Sequence, residues 1–196
     1  VDERRKQLVA LGLDLFGGRS YDEVSIDELA AAAGISKGLL YHYFPTKKDF
    51  YVATVREAAR QLVDRTHQPA QGDPVTRLRA GLDAYLDYVV AHQKPYVALL
   101  RSGVGVDKEV ARVVDETRAE LCDRLLEGTP VDGDDPLVRL ALRGWLGFVE
   151  AATLDWLDGK RKVPREKLRE LLAQALMGAV QGLTDAVTEP RPSGSG

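Results

Sequence analysis

Of the 196 residues, only one is a cysteine, Cys122. A single thiol excludes an internal disulfide framework and a cysteine-based zinc site. With no basic neighbour in the chain beyond Arg118 or Arg124, it reads as a buried, inert thiol. The three histidines, His42, His67 and His92, are scattered, with no H-x-x-x-H spacing, and there is no P-loop and no G-x-S-x-G. The acidic pair Asp134 and Asp135 falls in a glycine-rich loop and reads as solvated. No catalytic residue, metal or cofactor is expected. Long apolar runs are missing too: none reaches the roughly 18–20 residues of a membrane span. The N-terminal VDERRKQ is charged and leads into an amphipathic stretch rather than the apolar core of a secretory signal. The expectation is a cytoplasmic protein with no membrane partner. An excess of positive charge is also absent. The net charge is −3, and residues 1–66 hold ten basic and ten acidic side chains. A nucleic-acid reader usually shows a basic patch, so any such patch here must come from placement. What the chain does have is apolar residues, at 44%, enough for a packed core and too many for a disordered chain.

Those apolar residues recur at helical spacing along nearly the whole chain. In Asp2–Phe16 they are Leu8, Leu11 or Gly12, Leu15 and Phe16, and Gly17-Gly18 ends the run. After a connector carrying Tyr21 and Val24, helices are predicted from Ser25, over Lys37–Tyr43, and from Lys47 to about Thr66. The segment His67–Pro74 reads as a loop. Further helices follow over Val75–His92, Tyr96–Ser102 (ended by Gly103 and Gly105), Asp107–Glu127, Leu137–Leu157 and Arg165–Val187. No strand and no internal repeat is evident, so the fold class is all-α, with about nine helices.

The most informative stretch is Ser25–Phe50, SIDELAAAAGISKGLLYHYFPTKKDF. SIDE fits a capping box, and Ile26, Leu29, Ala30 and Ala33 give the buried face of a short helix. Gly34 breaks that helix at a sharp turn, and Ser36 caps the next one. Pro45 stops it, and Thr46 with Asp49 caps a longer helix. Two short helices around a tight turn are the pattern of a helix-turn-helix, in which the second helix enters the major groove. Ala30, Ala33 and Gly34 allow close packing. Gly38, a poor helix former, suggests close approach to a surface. The polar tips of Tyr41, His42 and Tyr43 suit phosphate oxygens, and Leu39 or an aromatic edge can meet a thymine methyl. On a helical wheel His42 and Tyr43 face outward, whereas Tyr41 and Phe44 are expected to pack at least partly in the core. Lys47 sits at a helix N-terminus suited to anions, beside Lys48, while Arg4, Arg5 and Lys6 serve equally as surface or phosphate contacts.

The run S-x-x-x-L-A-x-x-A-G-I-S-x-G-x-x-Y-x-Y-F-x-x-K, Ser25 to Lys47, resembles the signature of the TetR (tetracycline repressor) family. The resemblance covers roughly residues 1–50; the remainder resembles the family only in the number, length and order of helices. It implies a bacterial homodimeric transcriptional regulator, usually a repressor, whose C-terminal domain binds a small effector. It further implies that Ser25, Ser36, Lys37, Gly38, Leu39, His42, Tyr43 and Lys47 lie at or near double-stranded operator DNA. The expected organisation is a three-helix DNA-binding domain at 1–50, an effector-binding and dimerisation bundle at 51–187, and a flexible tail at 188–196.

In the C-terminal part, Gly144–Leu157 is apolar nearly all round, so this helix needs cover on two sides. Arg165–Val187 repeats the pattern, with the small residues Ala175 and Ala179. Pairing of helices 137–157 and 165–187 with their copies about a two-fold axis is the economical solution. An effector pocket is expected to draw on Tyr85, Tyr88, Tyr96, Leu100, Trp145, Phe148, Glu150 and Trp156. Glu150, interrupting an apolar run as Thr153 does, either pairs with Arg143 or Arg118 or meets a ligand. The expected effector is hydrophobic or amphipathic. The alternatives to a ligand-released repressor are a transcriptional activator and an all-α small-molecule-binding module with weak DNA binding.

Overall fold

The computed structural model describes residues 2–17, 19, 21–67, 72–103 and 107–188. Among them are nine α-helices and no strand: α1 (Asp2–Phe16), α2 (Ile26–Ala32), α3 (Lys37–Tyr43), α4 (Lys47–Thr66), α5 (Pro74–Ala91), α6 (Gln93–Ala98), α7 (Lys108–Leu126), α8 (Pro136–Asp158) and α9 (Arg165–Thr188). The all-α expectation holds. Gly18, Gly105 and the expected tail beyond Thr188 lie outside the described residues. Most helix bounds agree with the sequence reading to within a residue, and those of α6 depart by more. Pro95 falls inside the first turn of α6, where its missing N–H would have had no partner in any case, so the helix starts before the proline. Past Ala98 it widens into a π-helix over Leu99–Gly103.

The chain divides into two compact units, residues 1–66 with 87–117 and residues 67–86 with 118–196. In the first, α1, α2, α3 and the start of α4 share one core of Leu8, Val9, Phe16, Val24, Leu29, Ala30, Leu40, Phe44 and Phe50. The Phe44 and Phe50 rings meet edge to face at 4.9 Å, and Phe16 meets Tyr51 the same way at 5.0 Å. Of the two candidates for the buried face of α1, Gly12 is the buried one, and a Cβ there would lie 2.4 Å from Thr54 Oγ1 and 2.9 Å from the Phe50 ring. Glycine is therefore what lets α1 and α4 touch. Farther along α4, Val55 packs with Val110 and Val113 of α7, bordered by Tyr51, Val52, Ala59 and Leu99. The Tyr88 hydroxyl donates to the Ala58 carbonyl at 2.9 Å.

In the second unit α8 folds back on α9. Asp135 caps α8 ahead of Pro136, and the far end closes with Arg161 N–H on the Trp156 carbonyl and Lys160 N–H on that of Leu157. The Trp145 indole donates to the Leu172 carbonyl at 2.8 Å, and Trp156 donates to that of Val163 at 2.7 Å. Arg118 of α7 grips Glu150 of α8 through two bonds of 2.9 and 2.6 Å. Arg79 and Glu170, and Asp83 and Arg169, tie α5 to α9. Cys122 is buried, and burial pushes its thiol pKa up, as expected of an inert thiol.

The Gly12 contact makes a direct test. Gly12→Ala is expected to destabilise the protein by about 1–3 kcal/mol, the usual cost of forcing a methyl into a filled core. A thermal or urea melt reads it, and an unchanged midpoint would show that α1 and α4 have room to separate.

Candidate nucleic-acid interface

The helix-turn-helix region is built from short helices, each closed by its own side chains. Ser25 accepts from the Glu28 N–H at 3.2 Å, and Glu28 reaches back to the Ser25 N–H at 2.8 Å, the capping box expected from SIDE. Arg19 binds the same carboxylate at 2.8 Å. These bonds, Arg19 first, hold the Glu28 carboxyl down at about 2. At the end of α2 the Ile35 N–H returns to the Ala30 carbonyl and the Gly34 N–H to that of Ala31. This is the Schellman closure, with Gly34 at φ +63° supplying the left-handed residue. Ser36 Oγ then accepts from the Leu39 N–H at 3.2 Å, and α3 begins. Thr46 and Asp49 exchange bonds of 3.0 Å to open α4.

The result displays one face of α3. Ser25, Ser36, Lys37, Gly38 and His42 are exposed, as are Leu39 (41%) and Tyr41 (44%). The placement of two tyrosines differs from the wheel. Tyr41, expected partly in the core, is exposed, while Tyr43, expected outward, is half-buried against the core. The buried line of α3 is set by Leu40 and Phe44, four residues apart. Tyr43, three from Leu40, and Tyr41, three from Phe44, flank that line; the core takes up Tyr43 and leaves Tyr41 in solvent. Tyr43 keeps an edge contact with the His42 ring at 5.6 Å.

Lys37, Lys47, Lys48, Arg4 and Arg5 each rest against an internal group. Lys37 pairs with Asp27 of α2. Lys47 Nζ stands 4.1 Å over the Tyr21 ring. Lys48 binds Asp107 at 3.1 Å and Glu109 at 3.4 Å, and Asp107 raises its pKa. Arg4 donates to the Ala33 carbonyl at 3.2 Å, and Arg5 lies over the Phe44 ring.

The residues expected to line a pocket divide between the two units. Tyr88, Tyr96 and Leu100 belong to the first; Tyr85, Trp145, Phe148, Glu150 and Trp156 belong to the second. Tyr88 is stacked on His92 at 4.3 Å, and burial pushes its phenol up to about 12. Phe148 departs from the interior expectation, being 40% exposed on the outer side of α8. Glu150 has Arg118 as its partner, one of the two arginines anticipated. Between them and the helix end, Thr153 is fully buried, and its hydroxyl has no hydrogen-bond partner among the described residues.

Two family models match this chain. Residues 8–54 match the bacterial regulatory proteins of the tetR family, and residues 74–179 match the tetracycline repressor-like C-terminal domain. The chain belongs to the TetR family. Among curated relatives it is 25% identical over 183 residues to the HTH-type transcriptional activator FasR of Mycolicibacterium smegmatis, spanning 91% of this chain and 84% of FasR. Among solved structures it is similar to a tetR-family transcriptional regulator from Streptomyces coelicolor. That match has a TM-score of 0.80 at 38% identity and covers 95% of this chain and 84% of the other. The fold is also that of FadR from Bacillus subtilis, solved with stearoyl-CoA: TM-score 0.67, 17% identity, 87% of this chain and 96% of FadR.

Within this TetR-family region, sequence reasoning missed the partners of two lysines, Asp27 for Lys37 and Tyr21 for Lys47. Each sits against a lysine that it did single out. The local signal for Tyr21 was its place in the connector, and for Asp27 its place in the first turn of α2. Neither pairing is visible without the geometry.

Gly38 offers a sharper test of the face. A Cβ on it would meet nothing closer than Ser36 Oγ at 3.9 Å, so the fold itself has room for alanine. Gly38→Ala is expected to raise stability by up to about 1 kcal/mol through helix propensity. It is expected to weaken operator binding about tenfold or more, the cost of overpacking against DNA. A melt and a gel shift on the same sample check both, and binding that stays unchanged would place Gly38 away from DNA.

Proposed function

We propose that the chain is a cytoplasmic, homodimeric, operator-binding repressor released by a hydrophobic or amphipathic small molecule. The observation that carries this is the exposed face of α3 between two capped turns. There Ser36, Lys37, Gly38, Leu39, Tyr41 and His42 are offered to the major groove, with Ser25, Tyr43 and Lys47 at its borders. Residues 1–50 act as the reader and 51–187 as the effector and dimer region. The test is a gel shift on the DNA upstream of the protein's own gene. Binding is expected to weaken steeply with salt; no salt-sensitive shift on any fragment there would refute the reading.

The dimer reading rests on the outer face of α8 and α9. Leu137, Leu140, Phe148 and Leu171 are 45%, 69%, 40% and 54% exposed. Gly144, Gly147 and Gly178 in the same helices have open space where a Cβ would stand. An apolar strip with glycines suits close packing of a second copy about a two-fold axis. Such a dimer would hold two α3 helices about 34–36 Å apart, or a multiple of it, to read half-sites one or more turns apart. Leu140→Glu is expected to raise the dimer dissociation constant about tenfold or more while leaving helical content intact, as read by sedimentation and circular dichroism. A variant that stays dimeric at the wild-type concentration would move the interface elsewhere.

For the effector, the FadR neighbour's stearoyl-CoA supplies a class: a long apolar chain with a polar end. The buried hydroxyl of Thr153, close in sequence to the Glu150–Arg118 pair, supports a polar contact on α8. A thermal-shift screen of fatty acids and acyl-CoAs, followed by release from DNA, tests it. FasR, an activator, favours a second reading in which ligand raises transcription; a promoter–reporter fusion with and without the gene separates the two signs.

A further inference from the structure

Three carboxylates around the turn brace helix starts through backbone N–H groups, whereas Asp27, in the first turn of α2, pairs with a lysine of the next helix. Glu28 completes the α2 cap and binds Arg19. Asp49 caps α4 through Thr46. Asp107 accepts the Glu109 N–H at the start of α7. Asp27 has one partner among the described residues, the Lys37 ammonium, and the two side chains are 68% and 55% exposed. A pair so exposed adds little to folding. Its position is what matters: Asp27 lies in the first turn of α2 and Lys37 in the first turn of α3, so the pair spans the two helices at the edge of the displayed face.

Resting on the DNA-reader assignment above, we infer that Asp27 is a specificity-setting positioning residue that holds Lys37 back from DNA phosphates. The electrostatics are simple. A lysine that neutralises a phosphate releases a counterion, and this adds affinity for any sequence. While Lys37 stays on Asp27, it neutralises an internal charge instead. If it turns to a phosphate, Asp27 is left as a bare anion beside a polyanion. In both states the carboxylate subtracts from sequence-independent binding, and it leaves base contacts from Leu39, Tyr41 and His42 untouched. A reader without an excess of positive charge then avoids being held by random DNA, and a larger share of its affinity comes from base edges.

The experiment uses the full chain and two probes: a random-sequence 30-base-pair duplex, and a duplex selected from a random pool by the wild-type protein. Binding to each is measured across a salt series for wild type, Asp27→Asn, Asp27→Glu, Lys37→Gln and the Asp27→Asn/Lys37→Gln double variant. Asp27→Asn is expected to tighten binding to the random duplex severalfold and to steepen the salt slope by about 0.9, one phosphate's worth. The preference for the selected duplex falls accordingly. Asp27→Glu keeps the wild-type slope, and the double variant returns to it. An Asp27→Asn slope equal to wild type overturns the inference. So does an equal gain with Lys37 already removed, which would make Asp27 a simple repulsive charge and not a holder of Lys37. Failure of the wild-type protein to select or bind any duplex refutes the reader assignment itself, and the inference with it. Unchanged melting of the variants confirms that the readout is not a folding effect.

Discussion

The edge-to-face contact of Phe44 and Phe50, with ring centroids 4.9 Å apart, is the fixed point of the reader. Helix α3 has seven residues, far too few to persist alone in water. Leu40 and Phe44 are its buried anchors, at 1% and 2% exposure, and Phe50 is the surface on which they land. Losing an aromatic ring at such a site costs about 3–5 kcal/mol, a large part of the stability of any small domain. With Phe44 fixed, the rotation of α3 is fixed, and Leu39, Tyr41 and His42 have one direction left. Gly12 belongs to the same constraint, because it brings α1 close enough to close the core around the Phe50 ring.

The caps set the other limit. Ser25 and Ser36 each give an oxygen lone pair to a helix N–H, an arrangement that contributes roughly 0.5–2 kcal/mol per helix. A hydroxyl that accepts still has its own proton to donate. Both serines are exposed, so each can cap its helix and offer an O–H to a phosphate oxygen at once. The structural and the DNA-contacting readings of these serines are therefore compatible, and the same atom geometry serves both.

Much of the reader was legible because its signals are local. SIDE, Gly34, Ser36 and Thr46 act within three or four residues of themselves, and they mark their helix ends as the sequence reading expected. What misled was longer in range or finer in angle. On a seven-residue helix Tyr41 and Tyr43 lie at equal angles on either side of the Leu40–Phe44 line, so the wheel alone could not say which of them the core would take. Counting charges gave neutrality for residues 1–66, yet counting cannot say that Lys37 lies on Asp27, ten residues away. In the C-terminal helices, apolar spacing identified buried positions such as Trp145 and Trp156. It could not tell that their indole N–H groups bond backbone carbonyls, nor that Phe148 faces outward.

Those two indoles also explain why an apolar strip is left outside. Trp145 is tied to Leu172 in α9, and Trp156 to Val163 in the turn before it, so α8 is pinned at points eleven residues apart, about three turns. Turning α8 to bury Leu140 and Phe148 would break both bonds and strip Leu142, Leu146, Val149 and Leu157 from the core. Both indoles would leave their carbonyl partners, and the four aliphatic side chains would each lose about 1.5–3 kcal/mol of burial. Covering Leu140 and Phe148 from within costs more than it returns. The glycines of the same strip, with nothing near their Cβ positions, keep the outer surface low, so that a second helix pair can approach where the first cannot turn.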